Sequence, residues 1–133
     1  MFTRTSEYAL RAAIHLAQHQ DRWPIPGKQI AEEAGIPPKY LAKVLGDLVR
    51  AGVLHSNRGK SGGFSMVRSP EDVRLIEIVA PFEQLDRRRC PFGRGTCNDE
   101  NPCPAHHTWQ RVVQVEQDFL SRTTVRDIAA RRD

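Results

Sequence analysis

The chain has 133 residues and three cysteines, with 20 Lys and Arg against 16 Asp and Glu for a net charge of +4. That length suits one domain able to bury roughly two-thirds of its unfolded surface, so disulfide staples are not needed to fold it. No apolar run reaches the ~18 residues that cross a bilayer, and Glu7, Arg11 and His15 interrupt any signal-peptide core. A cytoplasmic protein with no membrane partner is therefore expected.

Charge is uneven along the chain. Residues 1–68 hold 10 Lys and Arg against 5 Asp and Glu, whereas residues 69–133 hold 10 against 11. A basic first half on a small domain suits a polyanion such as DNA, and an ordinary solvated basic face has the same composition.

In chain order, residues 5–19 place Leu10, Ala13, Ile14 and Ala17 at helical spacing, with Ala9, Ala12 and Leu16 on the adjoining stripe. This predicts a helix buried around most of its circumference. The stretch DRWPIPG ends it, because two prolines and a glycine disrupt helical hydrogen bonding. A short helix follows in KQIAEEAG, with Ile30, Ala31 and Ala34 inward and Gly35 as its left-handed stop. Pro38 then suits the first turn of a third helix, PKYLAKVLGDLVRAG, whose Leu41, Val44, Leu45 and Leu48 share a face and which Gly52 closes. Two helices joined by so short a turn form a helix-turn-helix.

Strands are expected around Val53–Ser56 and Gly63–Arg68, with Arg58 and Lys60 on the Gly-rich loop between them. A basic hairpin after a helix-turn-helix makes a winged helix. SPEDVRLIEIVAPFE supplies another short helix, with Leu75, Ile76, Ile78 and Val79 inward. From Ala105 a longer helix carries Trp109, Val112, Val113, Glu116, Phe119 and Leu120 along one side, and a last small helix begins at Thr123 or Thr124. The Trp-to-Leu stripe fits either packing on its own domain or pairing with a second copy, and a homodimer is the expectation.

The predicted third helix would enter the major groove of double-stranded DNA by its N-terminal residues Pro38, Lys39, Tyr40, Ala42 and Lys43. Lysines there donate to guanine or to phosphate, and Tyr40 reaches a phosphate oxygen. Lys28 at the start of the second helix, and Arg58, Gly59, Lys60 and Ser61 on the wing, complete the expected DNA contacts. Any one lysine is equally an ordinary surface cation; the argument rests on their joint placement. GKSGG lacks the preceding glycine spacing of a phosphate loop, and no nucleophile-base pairing appears, so the chain is not read as an enzyme.

All three cysteines lie in RRCPFGRGTCNDENPCPAHH, residues 88–107, where the chain is too polar to build a core. Cys90, Cys97 and Cys103 are spaced C-x6-C-x5-C, without the paired C-x2-C knuckles of zinc fingers. Three thiolates on a Gly/Pro-rich loop suit one soft centre, and iron-sulfur clusters usually take four protein ligands. His106 is the nearest fourth donor; Glu7 is the alternative if a dimer brings one copy's first helix to the other's loop. Arg87, Arg88, Arg89 and Arg94 surround the first thiol and would lower its pKa. A zinc site of three cysteines and a histidine, or a bare thiol switch, remains open beside an iron-sulfur cluster.

Taken together, SEYALRAAIHLA, IAEEAGIPPKYLAKVLGDLVRAGVL, RGKSGGF, RLIEIVAPFE, the spaced cysteines and TTVRDIA resemble the Rrf2 family of bacterial winged-helix transcription factors, which has IscR-like and NsrR-like members. The resemblance implies a mostly α fold with a small β-hairpin wing: a winged helix-turn-helix over residues 1–83, a cluster loop over 84–104, and a dimerisation helix with a short final helix over 105–133. It implies a homodimer on palindromic promoter sites, with affinity set by an iron-sulfur cluster on Cys90, Cys97 and Cys103. His106 matches the completing ligand of IscR-like members, which favours 2Fe-2S; Glu7 stands where NsrR-like members have an aspartate, which leaves 4Fe-4S possible. Two departures stand out. The first cysteine gap is six residues instead of five, and Ala42 replaces a glutamate by which IscR-like members choose between classes of site.

Overall fold

The computed structural model describes residues 2–83, 92, 100 and 102–130. Its packing begins with alanine. Helix α1 (Arg4–Gln18) buries Ala9, Ala12, Ala13, Leu16 and Ala17, and small side chains let neighbouring helices approach its axis closely. Thr3 caps it, its hydroxyl oxygen accepting from the Ser6 amide at 3.2 Å. The predicted core positions Leu10 and Ile14 are only half-buried, so the buried arc of α1 is the alanine side.

Helix α2 (Gly27–Ala34) and helix α3 (Pro38–Arg50) form the helix-turn-helix. Gly35 ends α2 at φ 68°, and Arg11 donates to the free carbonyls of Ala34 at 2.6 Å and Gly35 at 3.2 Å. A cation at the negative end of a helix is favourable, so α1 caps α2 electrostatically as well as packing on it. Leu41, Val44, Leu45 and Leu48 of α3 are all buried, as their spacing predicts.

Strands β1 (Leu54–Asn57) and β2 (Gly63–Met66) pair antiparallel, Leu54 opposite Met66 and Asn57 opposite Gly63. The first lies one residue later than the sequence predicts, and the second begins at Gly63 as predicted but ends two residues earlier. Ile25 extends the hairpin, exchanging backbone hydrogen bonds with Phe64 at 3.0 and 2.8 Å. This close approach explains Gly63: a Cβ there would lie 2.4 Å from the Ile25 carbonyl carbon, and its φ of 148° disfavours other residues. The wing is thereby fixed to the segment that leads into α2.

Helix α4 (Leu75–Val79) buries Leu75, Ile78 and Val79, leaving Ile76 half-buried. Glu83, just beyond it, accepts from the Thr3 amide at 2.7 Å and the buried Ser6 hydroxyl at 2.8 Å. Helix α5 (His106–Arg122) and helix α6 (Val125–Ala129) complete the chain; Thr124 caps α6 in a reciprocal pair with Asp127. Leu75 donates to Thr123 at 2.9 Å and Val125 to Val73 at 2.8 Å, so the end of α5 is stitched to α4. Helix α1 packs against α2, α3, α4 and α6. Among the described residues no helix is long and apolar enough to cross a membrane.

One polar cluster ties α1 to the helix-turn-helix. His15 Nε2 lies 2.8 Å from Glu33 Oε1, and Arg22 and Gln29 donate to the same carboxylate at 2.9 to 3.0 Å. The His19 ring lies tilted against that of His15, 4.4 Å between centroids, and its Nδ1 donates to the His15 carbonyl. Burial lowers the His15 pKa from its ordinary 6.5, outweighing the opposing hydrogen bond to Glu33, and the charges of His19 and Arg22 add to the lowering. The Glu33 pKa falls to about 2, led by the Arg22 hydrogen bond.

A histidine with a lowered folded pKa binds its proton more readily in the unfolded state, so stability falls as pH drops through 6.5 toward the folded value. The Glu33 contribution holds above 4.5 and is lost only as pH falls toward about 2. Urea unfolding between pH 7.5 and 5.5 should therefore show stability decreasing with acid, and His15→Gln should flatten that dependence; an unchanged slope would assign it to another group.

Candidate nucleic-acid interface and cysteine segment

The expected DNA-contacting side chains come from three elements. Lys28 projects from the first turn of α2; Pro38, Lys39, Tyr40, Ala42 and Lys43 from the first half of α3; Arg58, Gly59, Lys60 and Ser61 from the hairpin loop. All of them are exposed, Tyr40 to 62%. Gly59 has φ 98° and its carbonyl accepts from Gly62 at 2.9 Å, the turn that presents Arg58 and Lys60 at the tip.

Electrostatics separates these cations from the structural ones. Arg22 binds Glu33, Arg50 binds Asp47, Arg68 binds Glu77 and Arg126 faces Glu71. Among the described residues, Lys28, Lys39, Lys43, Arg58 and Lys60 join no ion pair, so their charge is available to an external anion. Tyr40 and Lys43 also border a cavity of about 580 Å³ with Arg4, Tyr8 and Phe82, which places the start of α1 beside α3. Glu7 stands exposed in that first turn.

Of the cysteine segment, Cys103 and His106 are described. Cys103 carries a free, half-exposed thiol, and its carbonyl accepts the His106 amide at 3.0 Å. His106 opens α5 and is buried to 3% exposure, its ring edge-on to His107. Trp109, one turn on, meets Phe92 edge-on at 5.9 Å, and its indole Nε1 is buried without a hydrogen-bond partner. Cys90 and Cys97, with Arg87, Arg88, Arg89 and Arg94, lie outside the described residues. Among the described residues no three candidate metal donors cluster.

The stripe expected to meet a second copy divides. Leu120 is fully buried in the chain's own core and Val113 is buried too, whereas Val112 and Phe119 stay about half exposed, and Trp109 and Glu116 are intermediate. Leu120 turns inward because the hydrogen bonds between Leu75 and Thr123, and between Arg74 and the Ser121 carbonyl at 3.0 Å, hold that end of α5 against α4. Val115, 68% exposed, joins the outward set from outside the predicted stripe. Three other residues escape prediction from the sequence. Arg11, His15 and Glu33 act across elements, and spacing along one helix carries no signal for such pairs.

Residues 2–131 match the Rrf2 family, described as iron-dependent transcriptional regulators. The chain belongs to the Rrf2 family. A putative HTH-type transcriptional regulator of Aquifex aeolicus is 34% identical to it over 131 residues, covering 96% of this chain and 90% of the relative. Among solved structures, T. potens IscR aligns with TM-score 0.78 at 25% identity over 96% of this chain and 85% of its own. The oxidised form of Staphylococcus aureus CymR gives TM-score 0.78 at 26% identity, covering 100% and 98%. The winged-helix fold and the assignment of this Rrf2 protein to the transcriptional regulators, not to the enzymes, follow from these matches.

The burial split within α5 has a measurable consequence. Leu120→Ala should destabilise the protein by about 2–5 kcal/mol in urea unfolding, through lost burial and the cavity left behind. Ser121→Ala, at an exposed neighbouring position, should shift stability by no more than about 0.5 kcal/mol.

Proposed function

We propose that this Rrf2 protein is a cytoplasmic homodimer that binds palindromic promoter DNA, with affinity set by an iron-sulfur cluster on Cys90, Cys97, Cys103 and His106. The observation that carries the DNA reading is the set of five unpaired cations on α2, α3 and the wing, set apart from arginines already committed to carboxylates. Lys39 and Lys43 reach bases or phosphates from the recognition helix; Lys28, Arg58 and Lys60 hold the flanking backbone. In a dimer the part of the α5 stripe left outside the core, the exposed Val112 and Phe119 with the half-buried Trp109 and Glu116, faces its twin, and the two recognition helices meet half-sites about one DNA turn apart.

The cluster reading rests on donor chemistry. The His106 amide donates to the Cys103 carbonyl at the start of α5, and a half-exposed thiol three residues before a buried histidine fits the end of a mixed thiolate-histidine set. This favours His106 and 2Fe-2S over the exposed Glu7 and 4Fe-4S. When bound, the cluster supplies a centre that responds to iron supply, oxidation or nitric oxide. The chain's own part is mechanical: α5 runs from His106 to the Leu120 anchor, and the stitches to α4 join it to the body that carries α1 and α3.

A second reading, cluster-free thiol regulation, draws on the full-length likeness to CymR, whose solved form is described as oxidised. Anaerobically purified protein separates the two. The cluster reading expects visible absorption bands that Cys97→Ser abolishes, with His106→Ala more damaging than Glu7→Ala; a colourless protein that shifts DNA according to thiol oxidation alone would favour the second.

The DNA contacts are tested independently of the cofactor. Lys39→Ala and Lys43→Ala should each weaken binding to the protein's own promoter region in gel shifts. Each should also lower the slope of log affinity against log salt by about 1.8, about 0.9 from each subunit, if that lysine meets a phosphate. Wild-type protein that shifts no promoter DNA, with or without cluster, would overturn the regulator reading.

A further inference from the structure

Between α2, α3 and the wing lies an apolar notch of about 400 Å³, lined by Gly27, Lys28, Pro38, Ala42, Leu45 and Phe64. Pro38, Ala42 and Leu45 follow one another at i, i+4 and i+7, so they form a single face of α3 that descends from the exposed surface into the core. Phe64 closes the notch from β2, where its backbone is held by Ile25. Gly27 keeps it narrow: a Cβ there would lie 3.3 Å from both Leu45 Cδ1 and Phe64 Cε2. Lys28 is the one charged lining residue, and the exposed Lys39 and Lys43 flank Ala42 on the recognition helix.

An apolar hollow among unpaired cations calls for an occupant that is apolar locally and anionic as a whole. Double-stranded DNA offers this in the major groove, where the thymine C5-methyl is the one apolar group on the base edges. Ala42 has no hydrogen-bonding side chain, so it reads no donor or acceptor; what it offers is a methyl-sized apolar wall.

We propose that this notch is a thymine-methyl reader, with Ala42 and Phe64 as specificity-determining residues that select a thymine in each half-site. The inference rests on the DNA-binding reading above. Lys28 and Lys39 position the duplex by its phosphates, the base edge enters against Ala42, and the methyl leaves water for the apolar surface of Pro38 and Phe64.

The test begins with selection of binding sequences from random duplex DNA by the purified full-length protein. In the enriched site each thymine is then replaced by uracil, which removes the methyl and leaves every hydrogen-bonding group in place. One position in each half-site should lose about fourfold in affinity, the worth of one buried methyl group; 5-methylcytosine placed there should bind better than cytosine. Ala42→Asn, at an exposed position, should abolish the uracil penalty and move the selected base toward adenine, which an amide side chain contacts through two hydrogen bonds. An enriched site indifferent to uracil at every thymine would overturn the methyl reader and leave DNA binding intact. Failure to enrich any duplex would overturn the DNA reading itself, and this inference with it.

Discussion

The close packing around α1 is the constraint on which the other elements depend. Ala9, Ala12, Ala13 and Ala17 present almost no side-chain bulk, and their burial lets α1 serve as common support for α2, α3, α4 and α6. A methylene added at any of these positions pushes on several helices at once, because an interior at crystal-like density has nowhere to relax. The same helix carries Arg11, which caps α2, and His15, which binds Glu33 of α2. The attitude of the helix-turn-helix is therefore set twice, by apolar contact and by polar links from the same stretch of α1.

That arrangement explains how a small domain keeps a basic face free. Carboxylates are placed where they neutralise structural cations: Glu33 takes Arg22, Asp47 takes Arg50, and Glu77 takes Arg68 while accepting the Arg74 amide at 2.9 Å. Surface pairs of this kind stabilise little individually. Their larger effect is distributional, since the acids are held away from the tip of the wing and the first turns of α2 and α3. The cations left over there keep their charge available to an external anion.

The helix-turn-helix was legible in the sequence because local chemistry and packing agree there. Gly35, Pro38 and the Leu41, Val44, Leu45, Leu48 face each follow a local rule, and each stands where that rule puts it. Elements fixed by distant partners were not legible in the same way. Gly63 is demanded by the backbone of Ile25, Phe64 meets α2 and α3 only through the hairpin register, and Leu120 faces its own core because Leu75 and Arg74 hold the end of α5. Helical periodicity gives the apolar stripe of α5 but not which neighbour covers each part of it. The cysteine spacing likewise predicts a donor set, while Cys90 and Cys97 lie outside the described residues.

The position of the Leu120 anchor also bears on how a signal from the cysteine segment would reach DNA. Seventeen residues of α5 separate the His106 end from the stitches to α4, about 25 Å of helix. Val112, Val115 and Phe119 stay exposed along that span, while His106, Val113 and Leu120 are buried. The hydrogen bonds that join α5 to α4 lie at its C-terminal end, so a change of direction at the His106 end is returned to α4. From α4 the path to α3 is short. Glu83 grips the start of α1, and that start shares a cavity wall with Tyr40 and Lys43. The cysteine segment is thus linked to the recognition helix through packed helices and named hydrogen bonds within one chain, and a second copy would add a further connection without being the sole one.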